Sequence, residues 1–263
     1  MIAPGITVAD TGGWQRITHA EEVWGTVVTF EIRNPELRDD VAELFRDGAA
    51  FLHEVDRWFS TYRADSHITA LRNGLLAREQ MPAIVNAVLD NCEVVRELTG
   101  GVFDPWSLPD GVDPSGYVKG WAADVVADLF VSRGYPNATI NAAGDVSCRG
   151  QQAPGTAWVI GIRHPEHADQ IVETVTLHDE ACATSGEYER GAHIRNPLTG
   201  TTDVRLRSAT VIGPDGGMAD ALATALVIRG RDGVEWFAHM PDWSGFLIEG
   251  EHSFSFGPAF AAE

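Results

Sequence analysis

The chain has 263 residues, of which 44% are hydrophobic and 22% charged, and its formal net charge is −19 at pH 7. These proportions are typical of a soluble globular protein that is long enough to bury a full-sized core. The acidic balance argues against binding to nucleic acids and to anionic membrane surfaces, because both need clusters of basic side chains.

The first half of the chain predicts one strand followed by three helices. Residues 23–33 are rich in β-branched side chains, which favours a strand. Pro35 then opens a helical segment in which apolar residues recur at three- and four-residue spacings up to Phe59. A second helix extends from about residue 82 to the Thr-Gly-Gly stop signal, and a third covers 119–134.

The second half of the chain predicts short strands and one long inserted helix. The segments are strands at 138–148, 158–164, 171–178 and 207–213, helices at 216–230 and near 233–240, and closing strands at 244–250 and 252–257. This order indicates an α+β fold rather than a regular alternation of strands and helices.

No linker or low-complexity segment marks a domain boundary. We therefore expect a single domain over 1–263, with the motifs at about 20–230 and closing strands to about residue 256. The three cysteines are far apart and show no metal or disulfide spacing. No secretory signal or transmembrane segment is visible, so a cytoplasmic location is expected, although a trimmed export signal would leave the same sequence.

The helix predicted at 216–230 is apolar almost all round, which is typical of a buried helix, yet it carries Asp220 and Thr224. At i and i+4 their oxygens project from one face, an arrangement that suits a hard cation such as Mg²⁺. Alternatively, Asp220 lies in the first turn after a Gly-Gly break and accepts backbone N–H groups there. Because acidic residues are common at helix starts, this segment alone favours the second interpretation.

Polar and glycine-rich segments elsewhere form ordered motifs that packing does not explain. The motifs are Trp24-Gly25-Thr26, Ser60 to Ser66, Phe103-Asp104-Pro105, Asp113 to Gly120, Gly144-Asp145, Thr184 to Tyr188, His193 to Gly200 and Ala219 to Thr224. Together they resemble the ApbE family, the flavin transferases that attach FMN to protein hydroxyls. Two positions depart from the family pattern: Trp24 replaces the usual Met, and Ala143 replaces the first glycine of a pair.

The resemblance implies a T-fold-like α+β architecture with mixed or antiparallel sheets and packed helices, and binding of FAD and Mg²⁺. It implies that Asp220, Thr224 and the carbonyl of Gly116 hold the metal, which would compensate the buried carboxylate. The FAD contacts that it implies are Trp24, Tyr62, Val102, Phe103, Asp104, Asp113, Lys119 and Ile194. Without the resemblance, Phe103 and Ile194 would be read as core residues, and Asp104 and Asp113 as turn residues.

The resemblance also implies a reaction in which a Ser or Thr hydroxyl of an acceptor flavoprotein attacks the FMN-side phosphorus of FAD and AMP leaves. A general base is needed, and His193 is the candidate, because histidine titrates near neutral pH. The other eight histidines are assigned to the surface by default. Two alternatives are an FAD pyrophosphatase, which would give free FMN and AMP, and a non-catalytic FAD-binding protein.

Overall fold

The computed structural model describes residues 5–11, 13–167, 169–186 and 194–261. The strands are β1 (Ile6–Thr11), β2 (Trp14–Val23), β3 (Thr26–Asn34), β4 (Ala138–Ala142), β5 (Asp145–Arg149), β6 (Trp158–Arg163), β7 (Ile171–Leu177), β8 (Ala181–Gly186), β9 (Ser208–Gly213), β10 (Ser244–Glu249) and β11 (His252–Phe256). The helices are α1 (Val41–Phe59), α2 (His67–Arg72), α3 (Ala83–Leu98), α4 (Ser115–Ser132) and α5 (Gly216–Arg229), with short 3₁₀ helices at Arg78–Gln80, Gly230–Phe237 and Pro258–Phe260.

Nine of the strands form one sheet in the order β1-β2-β3-β4-β5-β8-β9-β10-β11, and β6 pairs with β7 in a separate ribbon. Every strand pair is antiparallel. The α+β class with antiparallel sheets and packed helices is thereby confirmed. No helix in the described ranges has both the length and the apolar character needed to cross a membrane.

The centre of the sheet is covered on both faces. One face of β8 and β9 joins α4 and α5 in the main apolar core, through Ala183 and Val211. The opposite face packs against the β6–β7 ribbon in a second cluster that contains Trp158 and Ile212. Strand β9 is therefore buried at every residue, its polar Ser208 and Thr210 included.

The strand predictions differ from the structure in three places. The predicted strand 138–148 is a hairpin, because Ala143-Gly144 turns the chain between β4 and β5. Strands β1 and β2 were not predicted, since the half-exposed β2 is mostly polar and lacks an apolar stripe. Strand β8 was not predicted either: its residues, "ACATSG", have weak β propensity but allow α5 to pack closely on the sheet.

The first predicted helix also begins later than expected. Asn34 Nδ2 donates to the Glu36 carbonyl at 2.6 Å, so the chain turns after Pro35. The helix starts at Val41, where the Asp40 carbonyl accepts the N–H groups of the first helical turn.

Candidate functional site

A crossing of α4 and α5 places the predicted metal-site residues side by side. The helices meet at Gly120 and Gly216, where a Cβ added to Gly120 would lie 2.0 Å from the Gly216 carbonyl oxygen. Only glycine permits two backbones to approach this closely. One turn earlier, a Cβ on Gly116 would lie 3.6 Å from Thr224 Oγ1 and 3.4 Å from Phe103 Cε2. The two glycine contacts therefore bring Gly116 beside Thr224.

The start of α5 is tied to α4 and to the sheet by Asp124. Its Oδ2 accepts the N–H of Gly216 at 2.5 Å, and its Oδ1 accepts the hydroxyl of Ser147 at 2.6 Å. Burial raises the pKa of Asp124, and the hydrogen bonds from Ser147 and Gly216 oppose that rise. Asp215, the residue before α5, caps the helix by accepting the N–H of Met218 at 2.7 Å.

Lys119 connects two buried carboxylates at this crossing. Its Nζ lies 2.6 Å from Asp145 Oδ2 and 2.8 Å from Asp220 Oδ2, and both acidic side chains are at most 4% exposed. Burial alone would lower the pKa of Lys119, but the charges of Asp145 and Asp220 raise it above the ordinary lysine value. The negative charge of Asp220 is thus compensated by a side chain of the protein itself.

A group of hydroxyl oxygens adjoins the ion pairs. Thr224 Oγ1 and Ser185 Oγ are hydrogen-bonded at 3.0 Å, and Ser185 is 8% exposed. In the described part of the chain, no three His, Cys, Asp or Glu side chains form a metal-binding group. The residues grouped here are instead Asp220, the hydroxyl pair and Gly116, whose side chains and backbone offer carboxylate, hydroxyl and carbonyl oxygens.

An open cleft of about 1600 Å³ lies beside this cluster, and Trp24, Tyr62 and Lys119 border it. Tyr62 is 95% exposed, so its ring is available to a ligand. Trp24 and Ala143, the two departures from the family pattern, both border the cleft and have left-handed φ angles of 58° and 59°. Three of the predicted FAD contacts therefore share one cavity.

The apolar predicted contacts do not line the cleft. Val102, Phe103 and Ile194 are 3%, 6% and 6% exposed and belong to the main core. Val102 also borders a second cavity of about 60 Å³, next to Ile228. Their role toward FAD stays a prediction.

The two predicted acidic contacts are engaged in turn structure. Asp104 accepts the N–H of Trp106 at 2.9 Å and lies 3.2 Å from Arg96 Nε. Asp113 accepts the N–H of Ser115 at 3.0 Å, at the start of α4. Each carboxylate remains 17–20% exposed, so a ligand can still reach it.

His193, the predicted base, lies outside the described residues. Three residues that sequence reasoning left without a role belong to the site or its support: Asp124, Asp145 and Ser185. Asp145 and Ser185 occur inside the quoted motifs, so the motifs themselves were the available signal. No sequence signal pointed to Asp124, because its partner Gly216 is 92 residues away.

The chain is similar in sequence to several proteins of known name. The chain is 36% identical over 132 residues to the FAD:protein FMN transferase of Vibrio cholerae serotype O1, which covers 46% of this chain and 39% of that protein. It is 30% identical over 172 residues to the enzyme of the same name from Salmonella typhimurium, covering 58% of this chain and 49% of that protein. The alignments thus span no more than about half the length of these two relatives.

The fold also matches a solved structure, the flavin transferase ApbE from Vibrio cholerae, with a TM-score of 0.81 and 22% identity. That superposition covers 94% of this chain and 98% of the other. Residues 107–246, more than half of the sequence, match the ApbE family, and they include α4, α5 and the carboxylates that Lys119 joins. The chain belongs to the ApbE family.

Proposed function

We propose that this protein transfers FMN from FAD to a serine or threonine hydroxyl of an acceptor protein, releases AMP and depends on Mg²⁺. The observation that carries the proposal is the cluster of Gly116, Lys119, Asp220 and Thr224 beside an open cleft. The names of the related FAD:protein FMN transferases support it.

The oxygen donors at the crossing of α4 and α5 fit Mg²⁺, which prefers carboxylate, hydroxyl and carbonyl ligands. Asp220, Thr224 and the carbonyl of Gly116 would hold the ion. Gly116 leaves space for it, because a Cβ there would point toward Thr224 Oγ1 at 3.6 Å. When bound, Mg²⁺ supplies positive charge to the pyrophosphate oxygens while negative charge builds on them.

The predicted contact residues would hold the flavin and phosphate parts of FAD, and three of them would do so from the cleft. Trp24 and Tyr62 offer aromatic faces on which the isoalloxazine ring can stack. Lys119 stays protonated at neutral pH and supplies a fixed positive charge for a phosphate oxygen or a flavin carbonyl. Asp104 and Asp113 are placed by turns and can accept hydrogens from the flavin imide or from sugar hydroxyls.

The reaction is a displacement at the FMN-side phosphorus. The acceptor hydroxyl oxygen forms the new bond to this phosphorus, and the bond from the phosphorus to the bridging oxygen breaks, so that AMP leaves with that oxygen. The hydroxyl proton goes to a base, for which we propose His193. Lys119 is unsuited to that role, because its two carboxylate partners keep it charged.

The first prediction concerns Asp220. Asp220→Asn should lower FMN transfer by at least about 100-fold, because the Mg²⁺ ligand loses its charge. Asp215→Asn is the matched control, since it changes an acid at the start of the same helix and keeps the cap. Transfer is measured as denaturation-resistant flavin fluorescence on a candidate acceptor flavoprotein, and Mg²⁺ affinity by calorimetry.

The same assay separates the alternatives. Free FMN and AMP with no labelled acceptor would identify a pyrophosphatase, and bound but intact FAD would identify a binding protein. Unchanged Mg²⁺ affinity and activity in Asp220→Asn would remove the proposed metal site.

His193→Ala should slow transfer while FAD binding persists, and a loss of binding alone would make His193 a contact residue.

A further inference from the structure

The outer edge of β6 borders the candidate cleft. Five consecutive residues of β6, 159–163, and the three residues that follow the strand line the cavity that Trp24 and Lys119 also line. Side chains of a strand alternate between its two faces, so an unbroken run of lining residues means that the backbone edge itself borders the cavity. In the described part of the chain, β7 is the only strand that pairs with β6.

The hydrogen-bond pattern shows which backbone groups lie on that edge. The N–H of His164 donates to the Gln170 carbonyl at 2.9 Å, across the ribbon. Because the direction alternates along an antiparallel strand, the N–H groups of Val159, Gly161 and Arg163 point away from β7. The register shifts between Ile162 and Arg163, but the extra residue, Val172, lies on β7 and leaves the alternation along β6 unbroken. Such an edge is a template for another extended chain.

The edge is held in place before any partner arrives. Trp158 and Ile162 anchor β6 in the second core cluster, and Trp158 Nε1 donates to the Arg149 carbonyl at 2.9 Å. Val159, on the opposite face of the strand, is 49% exposed. A preformed edge lowers the entropic cost of ordering a bound segment.

We propose that the outer edge of β6 binds an extended segment of the acceptor protein as an added strand and so presents the acceptor hydroxyl to the cleft. The inference rests on the proposed function. Main-chain pairing would hold a segment of varied sequence at a set distance from the reacting group. The continuity of the edge with the cavity of Lys119 favours this occupant over a ligand unrelated to the reaction.

A positive charge at the end of β6 favours an acidic side chain in the bound segment. Arg163 ends β6 and is exposed, and no ion pair to it is found within the described ranges. On a chain with a net charge of −19, its guanidinium would attract an acidic side chain of the segment and repel a basic one.

The test uses two proline variants of the ribbon. Val159→Pro removes an N–H that points toward the cleft. Thr176→Pro removes one from the far edge, since Thr176 is the register partner of Val159 on β7. Both residues are exposed, and proline is tolerated at strand edges. The probes are short synthetic peptides with a single threonine. They are made in pairs, in which one peptide carries Asp beside the threonine and the other carries Lys.

We expect Val159→Pro to raise KM for the peptide about three- to tenfold, the equivalent of one lost hydrogen bond, while FAD affinity stays constant. Thr176→Pro should leave both values unchanged. The Asp peptide should be labelled in preference to the Lys peptide, and Arg163→Gln should remove that preference.

The possible outcomes test the binding of the acceptor segment to the outer edge of β6 separately from the proposed FMN transfer. Equal effects of the two proline variants would overturn the proposal that the outer edge of β6 binds the acceptor segment, and would leave the proposed function standing. Labelling of a folded flavoprotein but of no peptide would do the same. No FMN transfer to any peptide or folded flavoprotein would overturn the proposed function.

Discussion

At the scale of single residues, backbone strain lies beside the cleft. Trp24 and Ala143 both adopt left-handed φ angles, each followed by a glycine in a hairpin turn. The two turns are neighbours, because β3 pairs with β4 through Val28 and Ala142. A left-handed conformation costs a residue with a side chain about 1–2 kcal/mol. Strain of this kind is concentrated at functional sites, which agrees with the position of the cleft.

Ala143→Gly should therefore stabilise the fold by about 0.5–1 kcal/mol, because glycine adopts φ = 59° without steric cost. The measurement is the urea dependence of the free energy of unfolding. Ala142→Gly is the control at the adjacent strand position, where the residue is buried and glycine should destabilise. A loss of stability in both variants would contradict the claim that the backbone at Ala143 is strained.

The residues of the site were predictable to different extents. Asp220 and Thr224 stand out because a buried helix rarely carries a carboxylate, and their spacing places both oxygens on one face. Their partners could not be predicted. Lys119 lies 101 residues from Asp220 in the sequence, and Ser185 lies 39 from Thr224. These contacts exist only once the sheet has brought α4, α5 and β8 together.

At the scale of elements, the glycine contact between α4 and α5 sets the position of the site. A Cβ at Gly120 would overlap the Gly216 carbonyl at 2.0 Å, whereas a Cβ at Gly116 makes ordinary contacts of 3.4 and 3.6 Å. Both residues lie in α4, one turn apart, so the same substitution can be compared at two positions of one helix.

Gly120→Ala should lower the free energy of unfolding by about 2 kcal/mol or more, because α4 and α5 must separate. Gly116→Ala should leave stability nearly unchanged but weaken Mg²⁺ binding, since its methyl group enters the space beside Thr224. Denaturant unfolding and calorimetric titration with Mg²⁺ measure the two effects. Equal stability of the two variants would show that the crossing tolerates a wider spacing.

Helices were more predictable than strands in this chain. The apolar stripes of α1 and α3 repeat every three to four residues and identify their buried faces directly. Strand β8 has no such signal, because it is built from small residues that α5 requires as a packing surface. Its role depends on the neighbouring element rather than on its own pattern.

At the scale of the whole molecule, repulsion among the excess acidic side chains opposes folding. The chain carries 38 acidic and 19 basic side chains, so the folded state concentrates a net charge of −19. Repulsion among these charges destabilises the compact form at low salt.

The melting temperature should therefore rise by a few degrees when NaCl increases from about 10 to 150 mM, since the Debye length falls from about 30 to 8 Å. Differential scanning calorimetry measures the shift. KCl at equal ionic strength should give the same result, because screening does not depend on the identity of the ion. A fall in melting temperature would mean that attractive ion pairs dominate over the net repulsion.

The contact between Gly120 and Gly216 has a consequence for substrate entry. With the Gly216 N–H also held by Asp124, α4 and α5 are joined by direct backbone contact and by a hydrogen bond. Widening of the cleft for a dinucleotide is therefore expected at the rim, in the two hairpin turns and the loop around Tyr62. Altered substrate preference should therefore be sought in these rim segments, while the paired helices are left untouched.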